Sequence, residues 1–198
     1  MKHRTFTPRN MVLGGLFVAL TAIGANITSI LPFMVIGGVP ITLQTFFAIL
    51  SGLILGSRLG AFTMFVYMML GLAGVPVFAQ FKGGISMLLS PTFGFIVSFI
   101  LIAYVAGKLV ERKQSFSMYI VAALVAMALN YIIGTHWMYA AYIFWFNAPE
   151  GFSYKLAWMW MMVPLPKDIV ITVLAGMFAF RLKRIIPLPS KTSQQQVA

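Results

Sequence analysis

Asp168 is an acidic residue inside an apolar stretch of this chain, the segment 163–180, and Lys167 directly precedes it. The whole protein of 198 residues has three acidic residues, and the other two are Glu111 and Glu150. An ionisable side chain at the centre of a membrane helix costs about 2.5–3.5 kcal/mol on insertion scales, and such residues mark ligand or ion sites. The Lys167–Asp168 pair is therefore the first candidate for a binding function.

Two prolines, Pro164 and Pro166, precede this pair, and proline is favoured in the first turn of a helix. A helix should therefore begin near Pro166, with Asp168 at its amino end. Adjacent helical positions do not face each other, so the two side chains are expected to reach different polar ends of one ligand rather than to pair. The structural alternative is a carboxylate stabilised by the helix dipole, by about 0.3–1 kcal/mol, beside a lysine that extends to the interface.

Two amide side chains, Gln44 and Asn130, stand out among the few other polar residues of the apolar stretches. An amide offers both donors and acceptors, which suits an uncharged polar ligand such as a urea or a lactam. The alternative is a role in packing, because polar side chains in membranes often bond from one helix to another.

The composition is that of a polytopic membrane protein. It is 61% hydrophobic and 15% aromatic, and its mean hydropathy is +0.95. With no cysteine, the chain has no disulfides and no thiolate chemistry, and its two histidines lack the acidic cluster of a transition-metal site. We therefore expect neither a metal nor a cofactor.

Six apolar segments are long enough to predict transmembrane helices, since a span needs about 20 residues and fewer within a bundle. We read the chain as a single all-α membrane domain, 1–198, with a flexible polar tail at 187–198. The predicted spans are 11–31, 40–56, 58–74, 91–110, 117–136 and 164–186.

The lysines and arginines predict the orientation of these spans. If six helices alternate, eleven basic residues fall on one side and three on the other, so the positive-inside rule places both termini in the cytoplasm. The net charge of +11 is then explained by the orientation of the chain in the membrane and does not indicate nucleic-acid binding. The majority side holds Lys2, Arg4, Arg9, Arg58, Lys108, Arg112, Lys113, Arg181, Lys183, Arg184 and Lys191, and the minority side Lys82, Lys155 and Lys167.

Two connections on the outer side, 74–90 and 137–163, are apolar and interrupted by proline. Irregular backbone is not tolerated against lipid, so such segments must fold back onto the bundle or line a cavity. The alternative for their aromatic residues is an interfacial belt. Gly83 and Gly84, in the first connection, would let a backbone approach a ligand closely.

A stripe of small residues marks the first predicted helix, where Gly15, Ala19, Ala22 and Asn26 follow i, i+4, i+7, i+11 spacing. Such a stripe lets another helix approach closely, either within the bundle or from a separate membrane protein.

Enzymatic alternatives find little support in the chain. It has no Walker-type phosphate loop, so it does not bind ATP in the usual way. An intramembrane hydrolase that uses Ser86 and His136 is the rival from a different class, although no nucleophile-elbow sequence surrounds the serine.

Five segments, 39–44, 71–78, 83–84, 91–95 and 166–168, resemble the BioY family in order and spacing. These proteins are biotin-binding S components of energy-coupling factor (ECF) vitamin transporters. The resemblance implies a six-helix S-component bundle in the bacterial cell membrane, which is no enzyme and captures biotin on the outer side. It further implies an energising module of one transmembrane T component and two ATPase subunits, with docking through Gly15, Ala19 and Ala22. Another small vitamin remains the alternative ligand.

The sequence departs from the family pattern at one position. The family usually has a lysine three residues after the acid of the last helix, whereas Ile171 stands there in this chain and Lys167 comes before the acid. With biotin as the ligand, the acid would accept from a ureido N–H and the aromatic residues would cover the apolar part. The predicted ligand contacts are Asp168, Lys167, Asn130, Gln44, Phe78, Gly83, Gly84, Ser86, Tyr139 and Trp145.

Overall fold

The computed structural model describes residues 7–27, 35–36, 39–40 and 42–185. The end of the first predicted span and the predicted tail at 187–198 lie outside the described residues. The described chain folds into helices apart from one pair of two-residue strands, β1 (Val35–Ile36) and β2 (Val39–Pro40), which pair antiparallel. The helices are α1 (Pro8–Asn26), α2 (Gln44–Leu55), α3 (Ser57–Leu72), α4 (Phe93–Arg112), α5 (Phe116–Phe144), α6 (Tyr154–Met162) and α7 (Leu165–Ile185).

Hydroxyl side chains fix the beginnings of three helices. Thr7, Ser115 and Ser153 each accept a hydrogen bond from the backbone N–H three residues later, which satisfies one of the free donors at a helix start. A carboxylate does the same for α3, because Glu111 at the end of α4 accepts from the Ser57 N–H at 2.7 Å. This contact ties the start of α3 to the end of α4.

Small residues let α2 and α4 pack in the middle of the bundle, where α4 also contacts α3 and α5, and α5 contacts α7. A Cβ added to Gly52 would lie 2.2 Å from the carbonyl oxygen of Ala103, so only glycine permits this approach of α2 to α4. The core that results is apolar and includes Ile49, Leu53 and Phe99.

The helix lengths agree only partly with the six predicted spans. Three of the described helices, α1, α4 and α5, are long and apolar enough to cross a membrane, and α6 with α7 forms a further candidate pair that is bent by 55°. The apolar helices α2 and α3 are shorter, with 12 and 16 residues. The chain is thus a helical membrane protein, and its six-span topology remains a prediction.

The second outer connection is more regular than the sequence suggested. Instead of ending near residue 136, α5 continues to Phe144, and α6 follows within the segment predicted to be irregular. The reason is that no proline or glycine occurs between Trp137 and Phe146; the helix ends at Phe144, and a further turn follows near Pro149 and Gly151, where Gly151 has a φ of 72°.

Candidate ligand-binding site

A cavity of about 390 Å³ lies between the amino ends of α2, α4 and α7 and the middle of α5, and the connection from α3 to α4 covers it. The size is within the usual range for small-molecule sites, about 300–1,000 Å³. The first outer connection therefore folds back and lines a cavity, as predicted.

Asp168 lies on the wall of this cavity, in the first turn of α7. Its Oδ2 accepts a hydrogen bond from the Tyr131 hydroxyl of α5 at 2.6 Å, and its Oδ1 lies 2.6 Å from the Lys167 ammonium. The Lys167 ammonium also donates to the Thr42 carbonyl at 3.1 Å, just before α2. The carboxylate is thus held by two groups, Tyr131 and Lys167, and its side chain is only 14% exposed.

The expectation that Lys167 and Asp168 would not pair was wrong. Residues that are adjacent in a helix point in different directions, but the lysine has a long flexible side chain. The Lys167 ammonium binds the Thr42 carbonyl, and in this position it also contacts the Asp168 carboxylate.

Asn130 is a second polar group on the cavity wall, and its side chain is almost fully buried. Its Oδ1 accepts from the Ser98 hydroxyl at 2.6 Å, and its Nδ2 donates to the Thr45 hydroxyl at 3.2 Å. Because an amide nitrogen carries two hydrogens, one donor remains beyond the bond to Thr45.

Gln44 also lines the cavity, but its polar atoms are bound to the protein. Its Oε1 accepts from Thr42 at 3.0 Å, and its Nε2 donates to the Tyr67 hydroxyl at 2.7 Å. Tyr67 in turn donates to the Val77 carbonyl at 2.7 Å. Gln44 therefore connects α2 to the beginning of the connection that covers the cavity.

Much of the rest of the wall is apolar and aromatic, and Thr45, Ser90 and Thr92 add hydroxyl groups to it. Phe95 and Phe99 come from α4, Tyr142 and Phe146 from α5 and the residues after it, and Met87 from the covering connection. A few fixed polar groups in an apolar cavity are the usual arrangement of a small-molecule site.

Residues 78–84, which we name the capping segment, close one side of the cavity. The Phe78 side chain anchors its beginning: it is fully buried, packs edge-on against Tyr67 at 5.7 Å between ring centroids, and occupies the space where a side chain of Gly71 would be. The Phe78 N–H donates to the Lys82 carbonyl at 3.0 Å, which closes the segment into a tight loop.

The glycines of the capping segment approach protein rather than ligand. A Cβ added to Gly83 would lie 2.5 Å from the Val75 carbonyl oxygen, and the Gly84 N–H donates to the Gly71 carbonyl at 2.7 Å. Gly84 also has a φ of 98°, which favours glycine. These residues therefore bring the segment back against the end of α3.

Comparison with known proteins agrees with this arrangement. The model of the BioY family matches residues 1–188. The chain belongs to the BioY family.

Relatives of this BioY member occur in bacteria and archaea. It is 41% identical over 188 residues to the putative biotin transporter BioYB of Bacillus subtilis, which covers 94% of this chain and 93% of that protein. It is 34% identical to the biotin transporter BioY of Thermotoga maritima, over 89% of this chain and 97% of that protein. The probable biotin transporter BioY of Pyrococcus horikoshii is 39% identical, over 88% of this chain and 96% of that protein.

The fold is that of a solved S-component. A crystal structure of the S-component for biotin from an ECF-type ABC transporter superposes with a TM-score of 0.73 at 19% identity, covering 90% of this chain and 95% of that one. The BioY resemblance seen in the sequence is thus confirmed, and so is the S-component-like fold.

The structure brings half of the predicted ligand contacts to the cavity wall and places the other half outside it. Among the latter, Tyr139 packs on Phe152 and Tyr154, and the Trp145 ring nitrogen donates to the Leu89 carbonyl at 2.8 Å. On the wall are Asp168, Lys167, Asn130, Gln44 and Phe78; outside it are Gly83, Gly84, Ser86, Tyr139 and Trp145.

Tyr131 is the functional candidate that the sequence reasoning missed. It follows Asn130 directly in α5, and this adjacency of a phenol and an amide in an apolar span was an available signal. Thr45, Tyr142 and Phe146 also lie on the cavity wall and are not among the predicted contacts.

The residues of the alternative hydrolase do not form a catalytic pair in this BioY member. Nδ1 of His136 lies 2.7 Å from the Ile132 carbonyl, and its Nε2 lies 3.2 Å from the Tyr154 hydroxyl. Ser86 is exposed and is not among the residues that line the cavity.

The stripe on α1 changes its exposure along the helix. Gly15 and Ala19 are exposed, Ala22 is half-buried and Asn26 is buried. A Cβ added to Gly15 would meet no atom within 4 Å, so that position faces away from the bundle. The stripe was predicted to pack either within the bundle or against a separate membrane protein, and packing within the bundle does not account for Gly15 and Ala19.

Proposed function

We propose that this chain captures biotin on the outer side of the membrane, as the S component of an ECF-type vitamin uptake transporter. The observation that carries the proposal is the Asp168 carboxylate, held by Tyr131 and Lys167 on the wall of an apolar cavity. Membership of the BioY family and the names of the relatives as biotin transporters support the ligand.

The ureido ring of biotin has two N–H donors and one carbonyl acceptor, and the cavity offers matching groups for both. Each carboxylate oxygen accepts more than one hydrogen bond, so Asp168 accepts a ureido N–H while it keeps its bonds to Tyr131 and Lys167. The second N–H of the Asn130 amide then donates to the ureido carbonyl. By the same count Gln44 also keeps one N–H beyond its bond to Tyr67, so it is the alternative donor to this carbonyl.

The apolar part of biotin fits the aromatic walls. The thiophane ring and the alkyl chain would lie against Phe95, Phe99 and Tyr142, which line the same cavity as the carboxylate. In such a site an analogue without the urea leaves buried polar groups unpaired, and this cost gives the selectivity.

Lys82 is the cation that we assign to the biotin carboxylate. Of the three lysines on the minority side, Lys155 is not among the residues that line the cavity, and Lys167 is bound to Asp168 and Thr42. Lys82 lines the cavity from the capping segment. The Gly84 amide is an unsuitable donor, because it already binds the Gly71 carbonyl.

Transport would require partner subunits. We assign ATP hydrolysis to two separate ATPase subunits and docking to a transmembrane T component that meets α1 at Gly15, Ala19 and Ala22. The exposure of Gly15 and Ala19 supports this role. The protein would lie in the bacterial cell membrane with both termini in the cytoplasm, as the basic residues predict.

A calorimetric titration tests the proposed ligand. Purified protein without ATP should bind biotin, and it should bind thiamine and riboflavin at least a hundredfold more weakly. A biotin analogue methylated at a ureido nitrogen is the matched control, since it keeps the ring and the chain but removes one N–H donor. Equal affinity for biotin and this analogue would contradict the role of the ureido group, and the absence of biotin binding would contradict the function.

A further inference from the structure

The capping segment holds its middle residues in an unusual backbone conformation. Gln80 has a φ of 62° and Phe81 a φ of 55°, and both angles lie in the left-handed region that residues other than glycine seldom adopt. Two consecutive residues of this kind persist only where surrounding contacts hold them. The conformation places Ala79, Gln80 and Lys82 on the cavity, while Phe81 is 62% exposed.

The two ends of the capping segment are fastened to α3 and to each other. Phe78 is buried beside Gly71, the Phe78 N–H binds the Lys82 carbonyl, and the Gly84 N–H binds the Gly71 carbonyl. These contacts fix where the segment begins and ends. They do not involve the backbone N–H at its apex, which belongs to Phe81.

Asn26, the last residue of α1, fastens the apex. Its Oδ1 accepts a hydrogen bond from the Phe81 N–H at 2.6 Å, across 55 positions of sequence. Its Nδ2 donates to the Ala22 carbonyl at 3.0 Å, so the side chain is itself held by α1. Asn26 is only 8% exposed, so both bonds are partly buried.

We infer that Asn26 is a positioning residue for ligand retention, which holds the capping segment closed over the bound molecule without touching it. The inference rests on the proposed function. If the bond to Phe81 is lost, the apex of the capping segment is no longer held to α1, and the segment moves away from the cavity more often. The bound ligand then escapes more quickly.

The dissociation rate of biotin tests this inference. In the full-length purified protein, Asn26→Ala should raise the dissociation rate constant about fivefold or more, because one hydrogen bond to the closed segment is missing. The association rate constant should change by a smaller factor. In hydrogen exchange, the Phe81 amide of the variant should lose protection with or without biotin, and the change should be confined to the capping segment. A general loss of stability would instead lower protection throughout the protein.

Thr21→Val is the matched control, because Thr21 also makes a side-chain bond within α1, to the Phe17 carbonyl at 2.7 Å. Its bond resembles that of Asn26 to Ala22, but Thr21 lies five residues before the end of α1. This control should leave the dissociation rate constant unchanged. An equal rise in both variants would assign the effect to α1 as a whole and overturn the inference.

Two further results would overturn the inference. One is a wild-type dissociation rate in Asn26→Ala, which leaves the proposed function standing if biotin still binds. The other needs no variant: in wild-type protein with biotin bound, the Phe81 amide must exchange more slowly than an open loop amide, and fast exchange contradicts the inference. If wild-type protein fails to bind biotin at all, the proposed function fails first and the inference falls with it.

Discussion

The two sides of the cavity are built in different ways. On one side, Asp168, Tyr131 and Asn130 project from α7 and α5, and side-chain hydrogen bonds fix their polar atoms. On the other side, the capping segment is held by bonds to its backbone and by the buried Phe78 ring. We name the first set the helix wall.

This difference separates two tasks of a capture protein. Groups on helices keep their geometry when the ligand is absent, so the helix wall is suited to selecting the ligand. A short segment held by a few backbone bonds opens at low cost, so the capping segment is suited to admitting and retaining it. The loss of the Asp168 charge should therefore weaken equilibrium binding most, and changes that loosen the capping segment should weaken it less, mainly through faster dissociation.

The largest effect on affinity is expected from Asp168→Asn. This change removes the charge that strengthens the bond to a ureido N–H, and hydrogen bonds to charged groups contribute about 1.5–3 kcal/mol. The dissociation constant for biotin, measured by calorimetry, should rise about tenfold to a hundredfold. Glu150→Gln, at an exposed acid, is the control for the loss of one negative charge. Wild-type affinity in Asp168→Asn would remove this residue from the site.

A smaller effect is expected from Tyr131→Phe, which leaves the ring in place but removes the hydroxyl that donates to Asp168. The loss of one hydrogen bond of about 1 kcal/mol should raise the dissociation constant roughly fivefold. In combination with Asp168→Asn, the effect of Tyr131→Phe should largely disappear, because the two residues act as a unit. Tyr104→Phe, at an exposed tyrosine of α4, is the control and should bind biotin normally. Full additivity would show that Tyr131 acts independently of the carboxylate.

The sequence predicted the helix wall better than the capping segment, and the reasons are physical. A single acid in an apolar segment stands out because an ionisable side chain in a membrane helix costs free energy, and the two prolines before it indicate its place in the helix. Tyr131 escaped notice because a phenol in an apolar span is equally suited to packing. Only the packing of α5 against α7 brings its hydroxyl to Asp168.

Tyr139 and Trp145 were predicted as contacts while α5 was predicted to end near residue 136, and neither lines the cavity. Once α5 continues to Phe144, Tyr142 is eleven residues, or about three turns, beyond Tyr131 and lies on the same face. Tyr139 contacts Phe152 and Tyr154 instead and does not line the cavity. The role of Gly83 and Gly84 was not predictable in the same way, since composition does not tell whether a backbone approaches a ligand or another turn of the chain.

The smallest effect on affinity is expected where the capping segment contributes a charge. Lys82 is exposed and lies at the edge of the cavity, so its attraction for the biotin carboxylate is screened, and exposed pairs contribute about 0.2–1 kcal/mol. Lys82→Gln should therefore raise the dissociation constant only about two- to threefold, mainly through slower association at low salt.

Two comparisons decide whether the Lys82 effect belongs to the ligand carboxylate. Biotin amide, which lacks that charge, should bind wild-type protein and Lys82→Gln equally well. Lys155→Gln should bind biotin like the wild type, because Lys155 is not among the cavity residues. An equal loss for biotin and its amide would mean that Lys82 supports the shape of the capping segment instead. If Lys82→Gln lost as much biotin affinity as Asp168→Asn, the two sides of the cavity would not have separate tasks. Ligand selection would then depend on the capping segment as much as on the helix wall.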